Sequence, residues 1–466
     1  VKNNFLSFLL TAILIFSSPA KGEPQKKMQI IALEKQITPE SKGHILTNTG
    51  VWSSESEWIV YDTRSNPSGD IFDGSTIEMV NIHTGEVKVL YHSINGANCG
   101  VATFHPHDNK VVFILGPEHP TPDWQYSASH RQGVIVALSR PDKSINLDAR
   151  DLLSPFTDGA LRGGSHVHVW DANGEWVSFT YEDHILSQFK EETSEHEINL
   201  RNVGVSAPVG GVHAKKGHPR NHGGEFFSVV VSRTTANPKP GSDEIKKAFE
   251  ESWVGTNGYL RPDGTRQRRA LAFQGFVVTA KGETISEVFI VDLPDDITLS
   301  GDVPLSGTET RRPYPPKGTI QRRLTYTANN KYPGIEGPRH WLRSSPDGSL
   351  IAFLMKDEDG IVQLWTISPN GGEPLQITHN SWSISSAFTW SPDGRYIAHV
   401  MDNSVAMTEV TTGKTLRLTP RSDDINAPRP ETCVFSPDGK KIAYIRRMPS
   451  DGKVYNQIFV VTLKKI

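Results

Sequence analysis

Three stretches share one pattern: Ser345-Pro-Asp-Gly-Ser-Leu-Ile-Ala-Phe353, Ser391-Pro-Asp-Gly-Arg-Tyr-Ile-Ala-His399 and Ser436-Pro-Asp-Gly-Lys-Lys-Ile-Ala-Tyr444. Their prolines are 46 and 45 residues apart. Proline presets φ and glycine tolerates positive φ, so Pro-Asp-Gly makes a tight turn, and the alternating apolar residues that follow predict a strand. Each stretch therefore predicts a β-hairpin. After the first, Ile361-Val-Gln-Leu-Trp-Thr-Ile367 predicts a third strand and Pro374-Leu-Gln-Ile-Thr378 a fourth. Four strands in about 45 residues is the size of a propeller blade.

Looser copies lie upstream at Trp52–Val60, Phe104–Val112, Trp170–Ser178 and Arg220–Ser228. Four and three make seven, and the sequence predicts an all-β fold: a seven-bladed β-propeller over residues 28–466 with four-stranded blades. The fourth copy is interrupted by an insertion at about 236–269, in which Glu244–Glu251 has helical composition and Thr256–Gly264 is a loop placed to lid the channel mouth. The last repeat stops after its third strand, Gln457–Thr462, while Met28–Glu34 is a strand without a partner. That strand is expected to close the last blade and leave no long exposed edge.

The Ser-Pro-Asp-Gly repeats resemble the propeller of TolB and its relatives over about residues 28–466. Gly163-Gly-Ser-His-Val-His168, Phe179–His184, Asn202–Val205, Pro240–Glu244 and Pro338–Trp341 are similar to an enterobacterial family of propellers of uncharacterised role. Two further groups share the architecture: oligogalacturonate lyases, with a histidine-rich metal site, and ulvan lyases, with catalytic histidines, a tyrosine and a charge-neutralising arginine.

Charge and composition narrow the classes. With 49 Lys+Arg against 52 Asp+Glu, the net charge of -3 gives no general attraction to nucleic acid or anionic membrane. Lys2, the apolar run Phe5–Phe16 and the small residues Ser17–Ala20 read as a signal peptide over 1–20, too short to span a bilayer, with no cysteine for a lipid anchor. A secreted or periplasmic protein is expected. Cys99 and Cys433 permit one disulfide, but two buried free thiols fit cysteine's habit as a small core residue better. Nucleophile-elbow, phosphate-loop and Cys-x-x-Cys motifs are missing, and no organic cofactor is expected.

The candidate chemistry rests on histidine. Residues preceding each turn, together with the loops between second and third strands, are expected at one mouth of the channel, where His166, His168, His184, His218 and Arg233 would converge with His119 and His130. Strand alternation puts His166 and His168 on one face. Uronate polymers are cleaved by β-elimination, which needs the carboxylate's charge neutralised, a base for the C5 proton and an acid for the leaving oxygen. The lyase resemblance implies His184 or His166 as base, Arg233 as neutraliser and His218 as acid or support. His218 stands where the ulvan lyases have a tyrosine, so Tyr181 or Tyr259 is a possible substitute; His168 with these tyrosines would bind substrate. A divalent metal, zinc or manganese, would draw on His340 and Cys433 with His168. The expected function is an exported lyase acting on an anionic, ulvan-like polysaccharide. The alternative is a non-catalytic TolB-like periplasmic propeller that binds a protein partner.

Overall fold

The computed structural model describes residues 11–14, 30–339 and 341–465. Seven four-stranded antiparallel sheets form the blades of a ring, from blade 1 at 43–92 to blade 7, whose inner strand is Pro428–Phe435. This is the seven-bladed β-propeller that the repeats predict. The ring closes as expected: Ile30–Gln36 pairs antiparallel with Phe459–Lys465 and supplies the fourth strand of blade 7. Thr11–Leu14 adds a fifth strand outside it. The remainder of the expected leader lies outside the described residues.

The core is divided among the junctions of the blades. Val60, Phe104, Phe113 and Val134 fill the junction of blades 1 and 2. Val203, Val229, Phe273 and Phe289 fill that of blades 3 and 4, and Ile45, Ile59, Val434 and Ile458 join blade 7 to blade 1. Indole N–H groups cross three junctions as well: Trp52 donates to Val434 O at 3.1 Å, Trp253 to Val169 O at 2.9 Å and Trp390 to Arg343 O at 3.0 Å.

Blade 4 corrects the sequence reading. Arg220–Ser228 is no hairpin, because Phe227–Val230 is the outer strand of blade 3, paired with Gly204–Ala207. The inner strand of blade 4 is Ala248–Trp253, inside the expected insertion, and the supposed helical stretch Glu244–Glu251 runs into it. Lys246 and Lys247 precede the strand, and Glu250 and Glu251 fall in its register shift between Phe249 and Ser252, so their four-residue spacing imitates a helix face without forming one. The true excursion is 254–269, between the first two strands. It carries a small hairpin, Tyr259–Leu260 with Arg266–Gln267, around Arg261-Pro-Asp-Gly264.

The two ends of the channel differ. Strands alternate in direction, so the first-to-second turns lie at one end and the second-to-third loops at the other, not together as the sequence reading had them. The Thr256–Gly264 segment belongs to the turn end, where Thr256 N–H donates to Pro346 O at 2.8 Å.

Candidate functional site

At the loop end, a cavity of about 460 Å³ opens among blades 1, 2, 3, 5 and 7. One wall is a ladder of stacked groups. The Arg64 guanidinium lies 4.9 Å from the Phe72 ring centroid. Phe72 stacks on Tyr126 at 4.4 Å and 8°, and the Arg131 guanidinium lies 5.0 Å from the Tyr126 ring centroid. Arg64 is ion-paired, its Nε donating to Asp62 at 2.5 Å. Arg131 forms no ion pair among the described residues, and its buried Nε has no hydrogen-bond partner. Burial lowers its pKa from the usual guanidinium value.

His166 lines the same cavity, with Val167, Arg339 and Trp341. Its buried Nδ1 also lacks a partner, as does the indole nitrogen of Trp341. Burial, and then the charges of Arg131 and Arg201, hold the His166 imidazolium well below its ordinary range, so the ring is neutral at neutral pH. Burial pushes the Tyr126 phenol up, against the pull of Arg131 and Arg64, and keeps its proton in place. A neutral imidazole, a guanidinium that bonds to Tyr126 but, among the described residues, to no carboxylate, and a protonated phenol thus share one cavity.

His166 and His168 do not share a face. Val167 adopts φ 58°, and the pairing slips between His166 and Val169, so a bulge interrupts the alternation. His168 turns into the blade junction, its Nε2 3.0 Å from Ser165 Oγ. The backbone of Gly133 approaches so closely that a Cβ there would come within 2.6 Å of the same nitrogen. Burial lowers the His168 pKa to about 3, and the side chain is a core group.

His184 and His218 are brought together, away from His166, where the loops of blades 2 and 3 meet. Trp124 stacks on His130 with centroids 3.8 Å apart, meets His184 edge-on at 4.6 Å and faces His218 at 6.5 Å. His130 Nε2 lies 3.0 Å from His184 Nδ1. Arg233 is not part of either group: it is exposed in the connection from blade 3 to blade 4, over the Tyr314 ring at 4.8 Å. Tyr181 and Tyr259 are buried, and their hydroxyls donate to Asp183 at 3.2 Å and to Asp292 at 2.9 Å. Both are structural, and Tyr259 belongs to the turn end.

The expected metal set does not assemble. Cys433 packs with Tyr396, Ala398 and Ile442 between blades 6 and 7, far round the ring from the blade 2–3 junction that holds His168, and His340 lies outside the described residues. Among the described residues no group of three or more His, Cys, Asp or Glu is arranged to hold a metal ion. Cys99 and Cys433 are free and buried.

Sequence reasoning missed Arg131, Tyr126 and Trp124, although it had placed their neighbour His130 in the correct loop. The adjacent signal was the aromatic and basic composition of 124–131, the second half of the long second-to-third loop 116–131.

A curated protein of Escherichia coli (strain K12), the uncharacterized protein YidR, is 50% identical over 415 residues, covering 88% of this chain and 94% of its own. The chain belongs to the YidR family. Residues 98–222 match the family model described as a protein of unknown function, DUF3748. In this YidR-family chain that span contains Trp124, Tyr126, His130, Arg131, His166, His184 and His218, the histidine-bearing sector of blades 2 and 3. Among solved structures, an oligogalacturonate lyase in complex with manganese aligns over 98% of each chain with a TM-score of 0.53 and 11% identity, a likeness of fold. A putative TolB from Agrobacterium tumefaciens covers 80% of this chain and 98% of its own, with a TM-score of 0.39 and 14% identity.

Proposed function

We propose that the protein is an exported polysaccharide lyase that binds a uronate unit in the loop-end cavity and cleaves the chain by β-elimination. Arg131 takes the part that sequence reasoning gave to Arg233 and pairs with the substrate carboxylate. His166 removes the C5 proton, and Tyr126 protonates the leaving oxygen. Ulvan is the first polymer to try. Export rests on the apolar run Phe5–Phe16 acting as a leader.

The observation that carries this reading is the pair of unpartnered buried nitrogens, Arg131 Nε and His166 Nδ1, in one cavity. An unpaired buried donor costs about 1–3 kcal/mol, and a carboxylate would repay that cost. The same carboxylate raises the basicity of His166, because it offsets the guanidinium charges that lower its pKa in the empty site. The base therefore becomes competent when substrate is present.

The test is absorbance in the unsaturated-uronate band during incubation with ulvan, pectate, alginate and glycosaminoglycans, with and without added manganese or zinc. A rise with one polymer is expected, reduced about 10²–10⁴-fold by His166→Ala and strongly by Arg131→Met. Arg233→Ala should leave it unchanged. Binding of a polymer or protein with no rise under any condition would overturn the lyase in favour of the non-catalytic propeller.

A further inference from the structure

The rim group around Trp124 has a fixed polarity. His130 Nδ1 lies 2.7 Å from Gln125 O. A carbonyl only accepts, so this nitrogen carries the proton. In a neutral ring Nε2 is then the acceptor, and its partner 3.0 Å away, His184 Nδ1, is the donor. That leaves His184 Nε2 as a bare lone pair. His218 has the opposite sense: its Nδ1 accepts the Arg220 backbone N–H at 3.2 Å, so its proton is on Nε2. All three rings are neutral near pH 7, since burial and nearby arginine charge lower each pKa, that of His184 to about 4.

Both His184 and His218 are half-buried rather than sealed. Over Trp124 lie two guanidinium groups, Arg150 at 5.5 Å and Arg220 at 5.6 Å. Neither forms an ion pair among the described residues. They donate instead to backbone carbonyls: Arg150 to those of His130 and Arg131, and Arg220 to those of Glu118 and His119. Arg150 is buried, with the Asp148 carboxylate acting on it, whereas Arg220 is half-buried at the rim, and its positive charge disfavours a metal cation at this place. His130 and Arg131 are consecutive, so the rim and the cavity lie on either side of one short segment.

We infer that His184 and His218 form a saccharide subsite outside the cavity, where His184 Nε2 accepts a hydrogen bond from a sugar hydroxyl and His218 Nε2–H donates one to a sugar oxygen. The guanidinium of Arg220 at the rim favours an acidic unit. The inference rests on the uronate reading and adds that the ligand is a chain of several units, one in the cavity and a later one on the rim.

Calorimetric titration with oligogalacturonides of graded length, and with their carboxyl-reduced counterparts, tests it. His184→Gln and His218→Gln should weaken long oligomers about tenfold, the loss of one to two hydrogen bonds, and leave the shortest binders unchanged. Arg131→Met should weaken both lengths. Equal losses at every length, or none with long oligomers, would overturn the subsite. If only the reduced oligomers bind, and His184→Gln weakens the long ones, the subsite stands and the uronate reading fails; if no oligomer binds, both fail. Nitrogen NMR of the imidazoles supplies a measurement independent of ligand: His184 protonated at Nδ1 and His218 at Nε2 are expected, and the reverse in either ring would overturn the donor–acceptor assignment.

Discussion

Val167 holds a left-handed backbone, φ 58°, that a β-branched residue avoids. Val101 and Glu250 do the same, at φ 59° and 56°, and occupy the same step of the bulge in blades 2 and 4. Such a conformation costs about 1–2 kcal/mol per residue. Glycine would relieve that cost while giving up side-chain contacts and adding chain entropy. Val167→Gly should therefore change stability by less than about 1 kcal/mol in urea unfolding, whereas Val177→Gly, in the fully buried regular strand beside it, should lose about 3 kcal/mol or more. Equal losses at the two positions would show that the bulge is unstrained. The same bulge explains why His166 lines the cavity while His168, expected on the same face, does not. Alternation is a rule for regular strands, and nothing in the letters His-Val-His announces an inserted residue whose side chain is valine.

Each hairpin was legible wherever an aromatic residue, a tight turn and an alternating strand follow one another without interruption. In blade 4 the 254–269 excursion separates Trp253 from the second strand, Ala270–Val278, and the pattern was lost. The indole bonds that zip neighbouring blades were not legible, because their acceptors are backbone carbonyls with no sequence signature. Trp253→Phe removes the donor to Val169 O and leaves most of the apolar contact, so a loss of about 1–2 kcal/mol is expected in thermal or urea unfolding. A neutral result would mean that water replaces the indole at that carbonyl.

At the scale of the whole molecule, buried titratable groups make the stability depend on pH. Burial lowers His168 to about 3 and His399 to about 4, below the usual 6.5 of the unfolded chain. Their contribution is present above pH 6.5 and is lost as pH falls toward the folded values. Glu251 has the opposite sign: burial raises it to about 7, so its contribution is present below pH 4.5 and lost as pH rises through 7. Glu251→Gln should accordingly stabilise the protein at pH 8, by up to about 3 kcal/mol, and make little difference at pH 4. Urea unfolding at both values reads this directly, and an equal effect at the two would rule out the titration. Neither the Glu251 environment nor the cavity was legible beforehand. The cavity wall draws on five blades, so residues as distant as Arg64, Arg131, Arg339 and Glu431 become neighbours only when the ring is complete.

The clasp between Ile30–Gln36 and Phe459–Lys465 also bears on how the molecule is made. Individual hairpins are local and can form as the polypeptide leaves the ribosome, but blade 7 needs two segments from opposite ends of the chain. Contacts of such long sequence separation are slow to form. Until 428–465 emerges, the first blade lacks its neighbour across the junction and Ile30–Gln36 has no sheet to join. The ring can therefore close only in a late step, once Phe459–Lys465 has been made, and a chain lacking that strand is expected to accumulate as an open arc prone to aggregation.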